Sequence, residues 1–110
     1  MILRDKIEVI EGRRTTDDYG GVVTDWLDPV VVATLAAQVD YRSTSATTSG
    51  AAGFRIVEQL TAIVRRFPFN AGRQRVRWRG LHYVPDGSER TVTAAGRVHH
   101  IEIPLKRVTG

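Results

Sequence analysis

"VVVATLAAQVDYR", residues 30 to 42, decides the fold. Its odd positions, Val31, Ala33, Leu35, Ala37, Val39 and Tyr41, are all apolar. Its even positions turn polar at Thr34, Gln38, Asp40 and Arg42. Successive side chains of a strand point to opposite faces, so a period of two over this length predicts a long strand with one buried face. The Ala-rich middle leaves helix as the alternative reading.

Upstream, "DKIEVIEG" sets Ile7 and Val9 against Lys6, Glu8 and Ile10 and predicts a first strand ending at Gly12. "TTDDYGGVVTDWLD", residues 15 to 28, then raises a choice between chemistry and architecture. Asp bonds its own backbone and Gly accepts positive φ, so Asp17, Asp18, Tyr19, Gly20 and Gly21 should reverse the chain. Val22 and Val23 lead to Trp26 in a short second strand, stopped by Asp28 and Pro29.

Downstream lies "STSATTSGAAG": Ser43, Thr44, Ser45, Ala46, Thr47, Thr48, Ser49, Gly50, Ala51, Ala52 and Gly53. It holds no charge and no large apolar side chain, so it cannot bury enough surface to offset its ordering entropy and reads as one long flexible loop. Loops of this length in small domains often carry function. In "FRIVEQLTAIVRRFPF", Ile56, Leu60, Ile63 and Phe67 fit helical spacing, while Leu60, Ala62 and Val64 fit a strand. A strand over Leu60–Phe67 is expected, with Phe54–Gln59 open between strand and helix.

"RQRVRWRG" alternates strictly. Gln74, Val76 and Trp78 share one face; Arg73, Arg75, Arg77 and Arg79 share the other. "RG" at 79–80 can close a hairpin into "LHYV", "PDG" at 85–87 signals a turn, and "RTVTA" is a short strand. In the last strand, "VHHIEIPLKRV", His99 joins the face of Ile101, Ile103 and Leu105, opposite Val98, His100 and Glu102. Pro104 cannot donate to a ladder and suggests an edge or a bulge. The sum is an all-β chain: a small antiparallel β-barrel or sandwich of six to seven strands, with at most one short helix.

The 110 residues suit a single domain over 1–110, and 42% apolar content supplies one core. No apolar run approaches the roughly 20 residues that span a bilayer, so no membrane is expected. The charged start "MILRDKIEVIEG" does not read as a signal peptide. The chain contains no cysteine, which excludes disulfides, thiolate metal sites and a thiol nucleophile. A formal charge of +4 is weak evidence for a polyanionic partner.

Adjacent carboxylates in a turn point apart into water, so Asp17 and Asp18 read as structural. His99 and His100 are strand neighbours facing opposite sides, which disfavours a shared metal. No nucleophile elbow, phosphate loop or zinc-protease spacing occurs, and the serines sit where nothing pre-organises a base. No catalytic residue, metal or cofactor is expected, and the chain does not read as an enzyme. The arginine row is the sharpest feature. Side chains two apart on a strand lie roughly 6.6 Å apart, so four guanidinium groups line up over about 20 Å. The row is either a solvated face with counter-charges on neighbouring strands or a surface that meets acid: a protein subunit or phosphate. Trp78, opposite by parity, reads as a core anchor rather than a base-stacking platform.

These motifs together resemble the head–tail joining proteins of tailed bacteriophages, also called head-closure or stopper proteins. The likeness rests on Asp17 or Asp18, Tyr19, Gly20, Gly21 and Trp26 in the turn region. It continues through "TAIVRRF", through Val76, Gly80 and Tyr83 in "QRVRWRGLHYV", and through "LKRV", so it spans nearly the whole chain. Two departures are a longer region at 88 to 97 and an uncharged 43–53 loop. The resemblance implies a homo-oligomeric ring, hexameric or dodecameric, in the virion at the head–tail junction, built in the host cytoplasm. It implies a portal or adaptor ring above, a tail terminator or tail tube below, and packaged double-stranded DNA in the channel. The 43–53 loop would then close the exit until ejection. The competing readings are a monomeric nucleic-acid-binding small β-barrel and, without any supporting constellation, a small hydrolase.

Overall fold

A computed structural model describes residues 2–48 and 54–109. Its elements are β1 (Asp5–Thr16), β2 (Val22–Thr48), β3 (Phe54–Val64), β4 (Gln74–Trp78), β5 (Leu81–Pro85), β6 (Arg90–Ala94) and β7 (Arg97–Thr109), with no helix among the described residues. All pairings are antiparallel in one seven-stranded sheet of order β3-β2-β1-β4-β5-β7-β6, and β3 also pairs with β7. That extra pairing closes the sheet into a ring, in keeping with the small barrel the sequence predicts. A strand has two edges, and β3 covers one edge of β7 from Ile101 to Thr109. β5 and β6 therefore share the other edge in succession: Val84 and Pro85 face Lys106 and Leu105, and Arg90 to Ala94 face Glu102 to Arg97.

The interior follows the predicted parity except at the two ends of residues 30–42, where Val31 and Tyr41, expected on the buried face, are exposed. Ile7 and Val9 of β1, Ala37 of β2, Leu60, Ala62 and Val64 of β3, Val76 and Trp78 of β4, Tyr83 of β5, and Ile101, Ile103 and Leu105 of β7 form one core. Ala33, Leu35 and Val39 pack against it, which settles residues 30–42 as strand. Phe69, beyond the end of β3, completes the core. Val9 and Ile10 are both fully buried, but only Val9 belongs to the core; Ile10 faces Arg75 of β4 on the other side of the sheet.

Several boundaries differ from the sequence reading. β1 runs past Gly12 to Thr16, and Asp28-Pro29 does not stop β2. Glu11 faces Val30 and Arg13 faces Asp25, so Gly12 alone stands opposite Trp26 to Pro29. Pro29 sits in this wide irregularity, where no ladder donor is needed. Arg13 Nε donates to the Asp28 carbonyl at 2.7 Å and ties the bulged segment down. β3 covers Phe54–Val64, so the open segment Phe54–Gln59 is strand, while the expected end at Phe67 falls back to Val64. Twenty-seven residues at about 3.3 Å each would run roughly 90 Å if straight. The longest extent of the molecule is 50 Å, so β2 bends, and its irregularities opposite Gly12 and between Tyr41 and Ser43 are where it can do so.

The expected loop at 43–53 also changes. Ser43 to Thr48 are strand, paired residue by residue with Gln59 to Phe54. Composition misled here because a ladder satisfies the backbone of Ser, Thr and Ala whatever their side chains bury. Residues 49–53 lie outside the described residues. The result is a hairpin: β2 leaves β1 after Ala37, and β3 leaves β7 before Ile56.

Candidate functional site

The Asp17–Gly21 reversal is built as the sequence suggests. Asp17 Oδ1 accepts from the Tyr19 and Gly21 amides at 2.9 and 2.7 Å. The Asp17 amide donates to the Gly21 carbonyl at 2.8 Å, and the Gly20 amide donates to the Asp17 carbonyl at 3.1 Å. Gly20 has φ of 80°, a conformation that disfavours any Cβ. Asp17 thus serves the turn. Asp18 stays exposed, and Tyr19 projects with 98% of its surface in solvent. Asp17→Ala removes both side-chain acceptors and should cost about 1 kcal/mol, as for a lost cap, whereas Asp17→Asn should cost less; urea unfolding of the two variants checks this.

The arginine strand keeps its parity but not its continuity. Gln74, Val76 and Trp78 are buried, and Arg75 and Arg77 point outward. Arg73 lies in the preceding turn. Arg79 takes a left-handed φ of 53° and carries its guanidinium 4.5 Å from the Trp78 ring centre. Arg77 makes two bonds to its register neighbour Glu8, at 2.8 and 3.2 Å. That pair holds the Glu8 carboxyl below its usual range and raises Arg77 further. Arg75 sets its guanidinium over Trp26, 3.9 Å from the ring centre, and burial lowers its pKa. The expected uniform row is therefore four arginines in four settings, one of them neutralised by a neighbouring strand. Trp78, 5% exposed, offers no stacking face to a base.

Arg14, Arg73 and Arg75 line one cleft of about 350 Å³ with Glu11, Gly12, Thr24, Trp26 and Gln74. None of these three arginines lies within ion-pair distance of a carboxylate among the described residues. Glu11, the acid in the wall, accepts from Gln74 Nε2 at 3.1 Å. Sequence reading named Arg73, Arg75 and Trp26 but did not join them or find Arg14. The only signal was the β1–β2 turn, which sets Arg14 opposite Thr24.

The root of the hairpin is braced by residues that sequence reading missed. Ser43 Oγ donates to Gln59 Oε1 at 2.7 Å, and Gln59 Nε2 donates to Asp86 at 3.1 Å. Arg107 lies 3.5 Å from Glu58, which also accepts from the Tyr83 hydroxyl at 3.4 Å. Burial, with the Glu58 charge beside it, raises the Tyr83 phenol above its usual value. No local pattern could pair 58 with 83 and 107.

The histidines are corrected. Val92 faces His100 and Thr93 faces Val98, so His99 is bulged out of the ladder. The bulge breaks the alternation: His99 leaves the face of Ile101 and is exposed, while His100 is the more covered of the two. Their Nδ1 atoms come within 2.7 Å instead of facing apart, and His100 Nε2 lies 3.5 Å from Glu102, which also pairs with Arg90. No group of three or more metal-ligating side chains occurs among the described residues.

Against known proteins, a family model described as phage head completion protein matches residues 2–106. No curated protein and no solved structure matches the chain.

Proposed function

We propose that this chain, which belongs to the phage head completion protein family, is a structural ring-forming connector at the head–tail junction. Its copies would encircle the DNA exit below the portal or adaptor and present the surface on which the tail docks. The hairpin Ser43–Gln59 from each copy would close the channel after packaging and yield at ejection. The observation that carries this reading is the hairpin itself: β2 runs on past β1 from Gln38 to Thr48, β3 runs past β7 at Phe54 and Arg55, and the pair is rooted by Gln59, Asp86, Glu58 and Arg107. A braced root holds direction, and small uncharged side chains let copies pack together and separate again without breaking ion pairs. Val30 and Val32, 42% and 46% exposed, gain cover in a ring. The role assigned is structural, with no catalytic group.

Replacing residues 47 to 55 by Asn-Gly tests it. Ala46 faces Ile56, so a two-residue turn closes the shortened hairpin and leaves the β3–β7 ladder from Ile56 onward in place. Heads carrying this variant should assemble and fill, then lose DNA before tails attach, as read by nuclease-sensitive DNA. Heads that keep their DNA as well as wild type would remove the closure role. A protein that never joins the particle or forms closed rings would remove the connector itself.

A further inference from the structure

The cleft of Arg14, Arg73 and Arg75 gathers three cations and a stacked tryptophan, and among the described residues none of the three is ion-paired. Glu11 is the one acid in its wall, and Arg14 and Arg73 are exposed with Arg75 half-buried beside them, so the cleft keeps an excess of positive charge that an anion can answer. The β1–β2 hairpin that carries Arg14 ends in an acidic, apolar tip. Asp18 is exposed and uncommitted to the turn, whose bonds all run through Asp17 and the backbone. Around it Tyr19, Val22 and Val23 expose 98%, 70% and 45% of their surfaces. The tip cannot fold into its own cleft: Arg13 to Thr16 are locked opposite Asp25 to Val22, and Asp18 lies four positions beyond Arg14, roughly 13 Å at strand rise.

Resting on the ring reading above, we propose that the Asp18–Tyr19 tip of one copy seats in the Arg14–Arg73–Arg75 cleft of the next. Charge complementarity selects this occupant. A carboxylate answers the arginines, the tyrosine ring reaches the Arg75–Trp26 stack, and the apolar flanks lose their exposure. Phosphate would satisfy the charges but leave Tyr19, Val22 and Val23 in water. Tip and cleft are different surfaces, so the contact is head-to-tail, the kind that generates a closed ring when its rotation closes.

The absence of native cysteine makes the contact measurable. Asp18→Cys and Arg73→Cys chains of different mass are mixed under ring-forming conditions and oxidised. The mixed 18–73 disulfide should dominate over both homodimeric links. Asp18→Arg alone and Arg73→Glu alone should each weaken self-association about tenfold, and the Asp18→Arg/Arg73→Glu double variant should regain most of that loss. Closed rings without the 18–73 link or the charge-swap rescue overturn this contact and leave the connector reading standing. An 18–73 link confined to open chains supports the contact and overturns ring closure. Loss of DNA binding in Arg73→Glu, with no mixed disulfide, assigns the cleft to phosphate and overturns the proposal.

Discussion

Trp78→Ala should destabilise the protein by about 3–5 kcal/mol, a large share of the roughly 5–15 kcal/mol available to such a domain. Trp78 is 5% exposed and stands between two tyrosines, with ring centres 5.9 Å from Tyr41 and 6.2 Å from Tyr83. Tilted aromatic pairs of this kind add to area burial. Tyr41 is paired with Leu60 and Tyr83 with Val76, so their backbones are held in ladders and collapse only partly to fill the gap. Tyr83 would lose cover on the side away from Glu58, and Arg79 would lose the ring it lies over. Trp78→Phe keeps a ring and should cost less than half as much. Trp26 is the only other tryptophan, so its fluorescence reports unfolding of the variant. A midpoint in urea close to wild type would mean that β4 does not anchor the core.

That anchor was legible because β4 is a local pattern: five residues alternate, and one face must be buried. The odd positions from Ala33 to Val39 and the Asp17 turn were legible for the same reason, since period and turn chemistry are properties of neighbours in sequence. What stayed hidden depended on partners far along the chain. Ser43–Thr48 is strand because Phe54–Gln59 lies beside it, and no composition rule contains that fact. Pro29 looked like a stop because a strand proline removes a donor, yet opposite Gly12 there was no donor to remove. His99 changed face because of one unpaired residue in β7, and a single bulge inverts every parity argument beyond it. The arginine row was correct in direction and incomplete in meaning: Glu8, Trp26 and Trp78, which divide it into separate settings, come from three strands.

Gly12→Ala tests the least local of these features and should cost about 1–3 kcal/mol. Its φ is not in the left-handed region, so backbone freedom is not the reason glycine stands there. Space is. A methyl group at this position would collide with the Thr24 methyl, lie 2.9 Å from the Trp26 ring and 3.0 Å from the Asp25 carbonyl oxygen. Thr24 can rotate away, but Trp26 is held from above by Arg75 and the Asp25 carbonyl is backbone. The strand must shift instead, just where β2 bends around the bulge. Thr24→Ala added to Gly12→Ala should therefore recover only part of the loss, and urea midpoints of both single variants and the pair give that fraction. Full recovery would place the whole clash on a movable side chain and leave Trp26 undisturbed. Partial recovery means that the tryptophan moves, and Arg75 with it, so Gly12→Ala should also quench or shift Trp26 fluorescence in the folded state, read in a Trp78→Phe background. One added carbon would then reach the arginine cleft through close packing alone.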